Sequence, residues 1–209
     1  MTWSAENATK AYLRTLKLGN KPMEPDVAEF ISALAAGSGA RLMVEACSDS
    51  AGPTTLALIA AANQTGGRAV CIVHGPDELR SSVEFLGAEA DNVELVVGDA
   101  RKLLMGEYLG ADFVLVDCEM REHEHVFRAA QAGAVEGCGG VVVGYNAFCG
   151  RPCRSGRTKV EHLPIGGGMT VCRVPPQAKK SQWVVRVDED TGEEHVFRIT
   201  SPRRKWIEA

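Results

Sequence analysis

No apolar run in this 209-residue chain approaches the roughly 20 residues that a membrane-crossing helix needs, and the N-terminus carries no apolar core of a secretory signal. Low-complexity tracts and internal repeats are also lacking, which leaves an ordinary globular fold rather than a fibrous or stacked one. The turn after the first apolar run has no Gly-x-Gly-x-x-Gly, so a nicotinamide-dependent oxidoreductase ranks low. Basic residues are not interleaved with aromatics and no RNA-binding motif occurs. Cysteines number seven, an odd count, and Cys47, Cys71, Cys118 and Cys172 lie inside apolar runs. They read as buried, reduced thiols of a cytosolic or nuclear protein. Cys149 and Cys153 flank a short loop; a zinc pair there stays open, but an incidental pair weighs more.

What is present is a composition of 45% apolar and 24% charged residues, on a chain long enough for one sizeable core. The net charge of −4 is unevenly spread. Residues 1–150 hold 11 Lys/Arg against 20 Asp/Glu, and residues 151–209 hold 12 against 7. Arg151, Arg154, Arg157, Lys159 and the Arg203-Arg204-Lys205 cluster make the end basic. A solvated tail on an acidic domain outweighs nucleic-acid binding as the reading of that end.

Five apolar runs dominate the middle: 42–47, 69–74, 93–99, 113–118 and 141–146, each closing at a small or polar residue. Continuous Val/Ile/Leu runs suit strands buried on both faces, hence a parallel sheet between helices. Helical spacing precedes them at 4–18, with Ser4 as cap, and from Pro25-Asp26 to Gly37, and lies between them from Pro53, at 76–86, at 101–108 and at 121–134. The alternation predicts an α/β, Rossmann-like doubly wound sheet, mostly parallel. Two apolar runs, Val160 to Ile165 and Met169 to Val174, are joined by Gly166-Gly167-Gly168 and predict an antiparallel hairpin. A second hairpin, Trp183 to Val187 and His195 to Thr200, turns at Asp190-Thr191-Gly192. The expected division is a domain over 1–174 and a C-terminal hairpin with a basic tail over 175–209.

In such sheets ligands bind beyond the carboxyl ends of the strands, so the residues there are the candidate site. Their order, with Glu24-Pro25-Asp26-Val27 before the sheet, Val44-Glu45, Gly98-Asp99-Ala100, Val116-Asp117-Cys118-Glu119, Tyr145-Asn146 and Leu163-Pro164-Ile165-Gly166-Gly167-Gly168-Met169-Thr170, resembles one family. Residues 22–174 are similar to the class I S-adenosylmethionine-dependent O-methyltransferases of the caffeoyl-CoA type. The whole chain, from Trp3-Ser4-Ala5-Glu6-Asn7-Ala8, looks like a plant family within that superfamily.

The resemblance implies S-adenosylmethionine as cofactor and a set of residues for it. Glu45 and the following turn would lie at the methionine end, where Cys47 and Ala51 stand at the family's glycines and Gly52 comes one step late. His74 occupies the place of the acid that grips both ribose hydroxyls; an imidazole offers one acceptor at most. Asp77 and Glu78 read more readily as charges at a helix start. Gly98, Asp99 and Ala100 would hold the adenine, with a plain helix cap as the rival reading of Asp99. Asp117 and Asn146 match catalytic positions that in the family also bind a divalent cation. Tyr145 replaces the second carboxylate and Met120 a lysine, so no metal is expected. His123 and His125, two apart on a helix, read as surface residues.

The function these residues imply is a divergent S-adenosylmethionine-dependent methyltransferase-like protein, metal-independent if active. The alternative is a catalytically silent fold reused for binding or scaffolding. Its partner is a small-molecule substrate or another protein, a second copy making a homodimer included. Membrane is not among the expected partners, and nucleic acid ranks last.

Overall fold

The computed structural model describes residues 3–18, 27–148, 159–176, 181–187 and 193–200. The Pro25-Asp26 helix start, the Cys149/Cys153 loop, the basic residues 151–157 and 203–205 and the 190–192 turn lie outside the described residues. The chain divides into two compact units, Met1–Pro176 and Gln177–Ala209.

In the first unit, helices and strands alternate as α1 (Ala5–Leu18), α2 (Val27–Gly37), β1 (Leu42–Ala46), α3 (Pro53–Thr65), β2 (Arg68–Val73), α4 (Pro76–Leu86), β3 (Glu94–Val97), α5 (Ala100–Met105), β4 (Phe113–Asp117), α6 (His123–Glu136), β5 (Gly140–Tyr145), β6 (Val160–Leu163) and β7 (Met169–Val174). A 3-10 turn, Gly87–Asn92, leads into β3 and has no counterpart in the sequence reading. The strands form one seven-stranded sheet in the order β3-β2-β1-β4-β5-β7-β6. The first five are parallel and β7 inserts antiparallel between β5 and β6. The order reverses direction between β1 and β4, which is where a crevice opens in a doubly wound sheet.

The sheet buries both faces because its central strands are apolar at nearly every position, Glu45 of β1 and Asp117 at the end of β4 being the buried carboxylates among them. Met43, Cys47, Cys71, Leu115, Val143 and Met169 face a core shared with α2 and α3. The alternate residues Val44, Val70, Ile72, Val114, Val116 and Val142 face a second core with Phe127, Ala130 and Leu104 from α6 and α5. This is the period of two expected of strands. Ser4 caps α1, its Oγ accepting from Asn7 N at 3.3 Å, and Ser4 N donates to Gly37 O at 2.7 Å. Among the described residues no helix is long and apolar enough to cross a membrane.

The second unit contains one two-stranded ladder, β8 (Ser181–Val187) with β9 (Glu194–Thr200), antiparallel, in which Val185 pairs with Val196 and both side chains are exposed.

Beyond β6 the turn 165–168 folds against the end of β5. Ala147 N donates to Gly168 O and Phe148 N to Gly167 O, each at 2.9 Å. Gly168 sits at φ +89°, and a Cβ there would fall 2.4 Å from the Phe148 ring. Gly39, at the end of α2, has φ +70° with nothing within 4 Å of a Cβ. Gly39→Ala is therefore expected to cost about 1 kcal/mol, the backbone penalty alone. Gly168→Ala carries that penalty and also displaces the ring, so its denaturation midpoint should fall clearly below that of Gly39→Ala. Equal midpoints would contradict this packing.

Candidate functional site

The carboxyl ends of β3, β2, β1, β4 and β5 present, in that spatial order, Gly98-Asp99, His74, Cys47-Ser48, Asp117 and Asn146. Glu45 lies one pleat below this rim, paired with Cys71 of β2 on one side and Leu115 of β4 on the other. Register alone explains the arrangement, because each strand ends at the same level as its neighbours.

Glu45 is fully buried. Thr54 Oγ1 donates to its Oε1 at 2.5 Å, Thr55 Oγ1 to its Oε2 at 2.6 Å, and the Tyr145 hydroxyl to Oε1 at 3.3 Å. Thr55 Oγ1 also accepts from Gly52 N at 3.1 Å, which closes the first turn of α3. Burial raises the Glu45 carboxyl above its ordinary 4.5, against the opposing pull of the three hydroxyls. Tyr145 is likewise pushed up, by burial and then by the neighbouring Glu45. The Tyr145 phenol is thus turned into the core, away from the rim on which the following residue sits.

Asp117 is the knot of the rim. Its Oδ1 accepts from Asn146 Nδ2 at 3.0 Å and from Glu119 N at 3.1 Å. Its Oδ2 accepts from Ser48 N at 3.4 Å and from the Ser48 hydroxyl in a short contact. Both oxygens are therefore engaged with three different segments. Asn146 holds φ +57°, the left-handed region that asparagine tolerates better than most residues.

The two residues at the family's glycine positions do not project from the rim. Cys47 and Ala51 belong to the core shared with α2 and α3. Cys47 Sγ lies 3.2 Å from Cys71 Sγ, and this sulfur contact, followed by burial, raises its thiol far above the usual range. Ala51 N donates to the buried Ser82 Oγ of α4 at 2.8 Å. A Cβ on Gly52 would meet nothing within 4 Å, so open space lies over the start of α3. At the other end of the rim His74 is exposed. Asp99 caps α5 through Oδ1, accepting from Lys102 N at 3.2 Å, while Oδ2 makes only a 3.9 Å ion pair with Lys102. Its side chain is 51% exposed and Ala100 is buried. The rim thus carries a half-exposed carboxylate at the start of α5 and uncrowded backbone at the start of α3.

Met120 is buried in the second core. His123, read as a surface residue, is instead buried, its Nδ1 2.9 Å from Met120 O. The turn before α6 folds this first helical residue inward, whereas His125 stays exposed. Asp77 and Glu78 lie in the first turn of α4, Asp77 paired with Arg80 at 3.4 Å. Sequence reasoning missed Ser48, Thr54, Thr55, Cys71 and Ser82 as partners. Only Thr55, three residues after a helix-starting glycine, carried a readable signal. A separate depression of about 420 Å³, between Asn63, Arg68 and Asn92, lies at the amino ends of β2 and β3, away from these residues.

The strand order is that of the Rossmann-like fold of solved methyltransferases. Residues 1–199 match the family described as "Protein of unknown function (DUF1442)", and the chain belongs to it. No curated protein matches. Among solved structures, the chain is similar to the Podospora anserina methyltransferase PaMTH1, bound to SAH, at 16% identity over 82% of this chain and 89% of that one, with a TM-score of 0.59. A methyltransferase from Geobacter sulfurreducens gives 18%, 82%, 90% and 0.57. The O-methyltransferase TomG from Streptomyces achromogenes, in complex with SAM, gives 19%, 84%, 92% and 0.55. At these identities the likeness is one of fold.

Because the Glu45 carboxyl is raised in the folded state, its contribution to stability is full below about 4.5 and is lost as pH climbs through the raised value. Glu45→Gln has no such charge. In chelator-treated samples, denaturant midpoints should show the parent chain losing ground to Glu45→Gln as pH rises above 4.5. A difference that stays constant with pH would contradict this.

Proposed function

We propose that this chain binds an adenosyl ligand of the S-adenosylmethionine type along the carboxyl rim and acts as a divergent, metal-independent methyltransferase. The observation that carries the reading is the convergence of Ser48, Asp117 and Asn146 at the β1–β4 crossover, with the half-exposed Asp99 on the same rim. Support also comes from PaMTH1 and TomG, similar in fold and solved with SAH and SAM.

In this reading Gly98, Asp99 and Ala100 hold the adenine and His74 lies beside the ribose. Gly52 leaves room at the methionine end, above Cys47 and Glu45. S-adenosylmethionine, when bound, supplies an electrophilic methyl group on a sulfonium. Asp117 and Asn146 orient the nucleophile of a small-molecule substrate, so that proximity does most of the work. At the β1–β4 crossover the oxygen donors are the Asp117 carboxylate, the Asn146 amide and the Ser48 hydroxyl, with the Tyr145 phenol committed to Glu45, a poor cage for a hard cation. The reduced thiols suit a cytosolic or nuclear protein.

A second reading, a silent fold used for binding a protein or a second copy of itself, draws on the same geometry. Glu45 already accepts from three hydroxyls and Asp117 from four donors, so both carboxylates are satisfied without a ligand.

Calorimetric titration with S-adenosylmethionine and S-adenosylhomocysteine separates the two. The proposal expects saturable binding that Asp99→Ala weakens about tenfold, or roughly 1.4 kcal/mol. No heat and no thermal shift with either compound at millimolar concentration would overturn it.

A further inference from the structure

Beneath the rim, Glu45, Cys47 and Cys71 bring a carboxylate and two thiols together. All three are buried, and their ligand atoms lie within 4.8 Å of one another. The parallel register builds this cluster: Glu45 and Cys71 are paired across β1 and β2, and Cys47, two residues after Glu45, points to the same face. The thiols are free, with their sulfurs 3.2 Å apart. No ion pair among the described residues includes Glu45, so among them this buried carboxyl has hydroxyl partners and no cationic one.

Around the cluster stands a polar outer shell. Thr54 and Tyr145 donate to one Glu45 oxygen and Thr55 to the other, and the Thr55 hydroxyl lies 3.9 Å from Cys71 Sγ. Metal-binding carboxylates are commonly oriented in this way. Two sulfurs and a carboxylate oxygen are a donor set for zinc, and the thiolates disfavour magnesium or calcium.

We infer that Glu45, Cys47 and Cys71 form a structural zinc site that pins β1 to β2 below the candidate cleft. On binding, the two S–H protons and any proton held by the Glu45 carboxyl leave to solvent as two Zn–S bonds and one Zn–O bond to Glu45 form. The Thr54 and Tyr145 hydroxyls, both on Glu45 Oε1, are the neutral oxygens at hand for a fourth place. Because the cluster is buried, the ion enters during folding. The inference does not rest on adenosyl binding.

The test uses the full chain produced in zinc-supplemented medium. About one zinc per chain should survive gel filtration, and folding metal-free protein with Co²⁺ should give a thiolate-to-cobalt charge-transfer band. The Cys149→Ser/Cys153→Ser chain should keep its zinc, which separates this cluster from the loop pair. Cys71→Ser should lose both zinc and the cobalt band. Thr55→Val leaves all three ligands in place and should weaken zinc about tenfold against a chromogenic chelator, so a Cys71 variant that fails to fold leaves the question decidable. The inference is overturned if folded protein takes up neither ion with a thiolate signature, or if zinc is lost with Cys149 and Cys153. It is equally overturned if mass spectrometry finds Cys47 and Cys71 joined as a disulfide, two hydrogens lighter.

Discussion

A carboxyl group with no solvent exposure, in an interior strand of the sheet, constrains everything around it. Leaving Glu45 without partners there would cost several kcal/mol. The chain meets this with hydroxyls from two other elements, Thr54 and Thr55 at the start of α3 and Tyr145 at the end of β5. Those bonds tie β1, α3 and β5 together below the rim. They also set the first turn of α3, since Thr55 holds Gly52 N, and they draw the Tyr145 phenol inward.

Above that tie the rim is organised by Asp117, which joins the loop after β1 to the ends of β4 and β5. Ser48, Glu119 and Asn146 all donate to it, and Asn146 adopts a left-handed backbone to do so. The loop from Ser48 to Gly52 is held at its other end by Ser82 of α4. A rim fixed at both ends, with open space over Gly52 and a half-exposed Asp99, is a preorganised surface. Its carboxylates are satisfied as they stand, so any ligand gains most from backbone and from Asp99.

The sheet was legible because its strands are apolar on both faces and stop at small or polar residues, and the hairpin because three glycines separate two apolar runs. The rim positions followed from the strand ends. What periodicity could not supply was side-chain direction. Cys47 stands in a glycine's place, yet the alternation of β1 sends its sulfur toward Cys71 in the core. His123 looked exposed by helical spacing, yet the turn preceding α6 folds it onto Met120 O. The partners Ser48 and Ser82 come from loop and helix contacts far apart in sequence, which no local pattern records.

The buried Glu45 anchor, the Asp117 knot and the half-exposed Asp99 lie at or just below the carboxyl ends of β1, β4 and β3 of a Rossmann-like sheet. The most direct test is a crystal structure of the chain grown with S-adenosylhomocysteine. The account expects the adenine against Asp99 and Ala100 and the sulfur end over Ser48 and Gly52. Adenosyl density in the depression between Asn63, Arg68 and Asn92, or a fully formed rim that stays empty at saturating ligand, would contradict it.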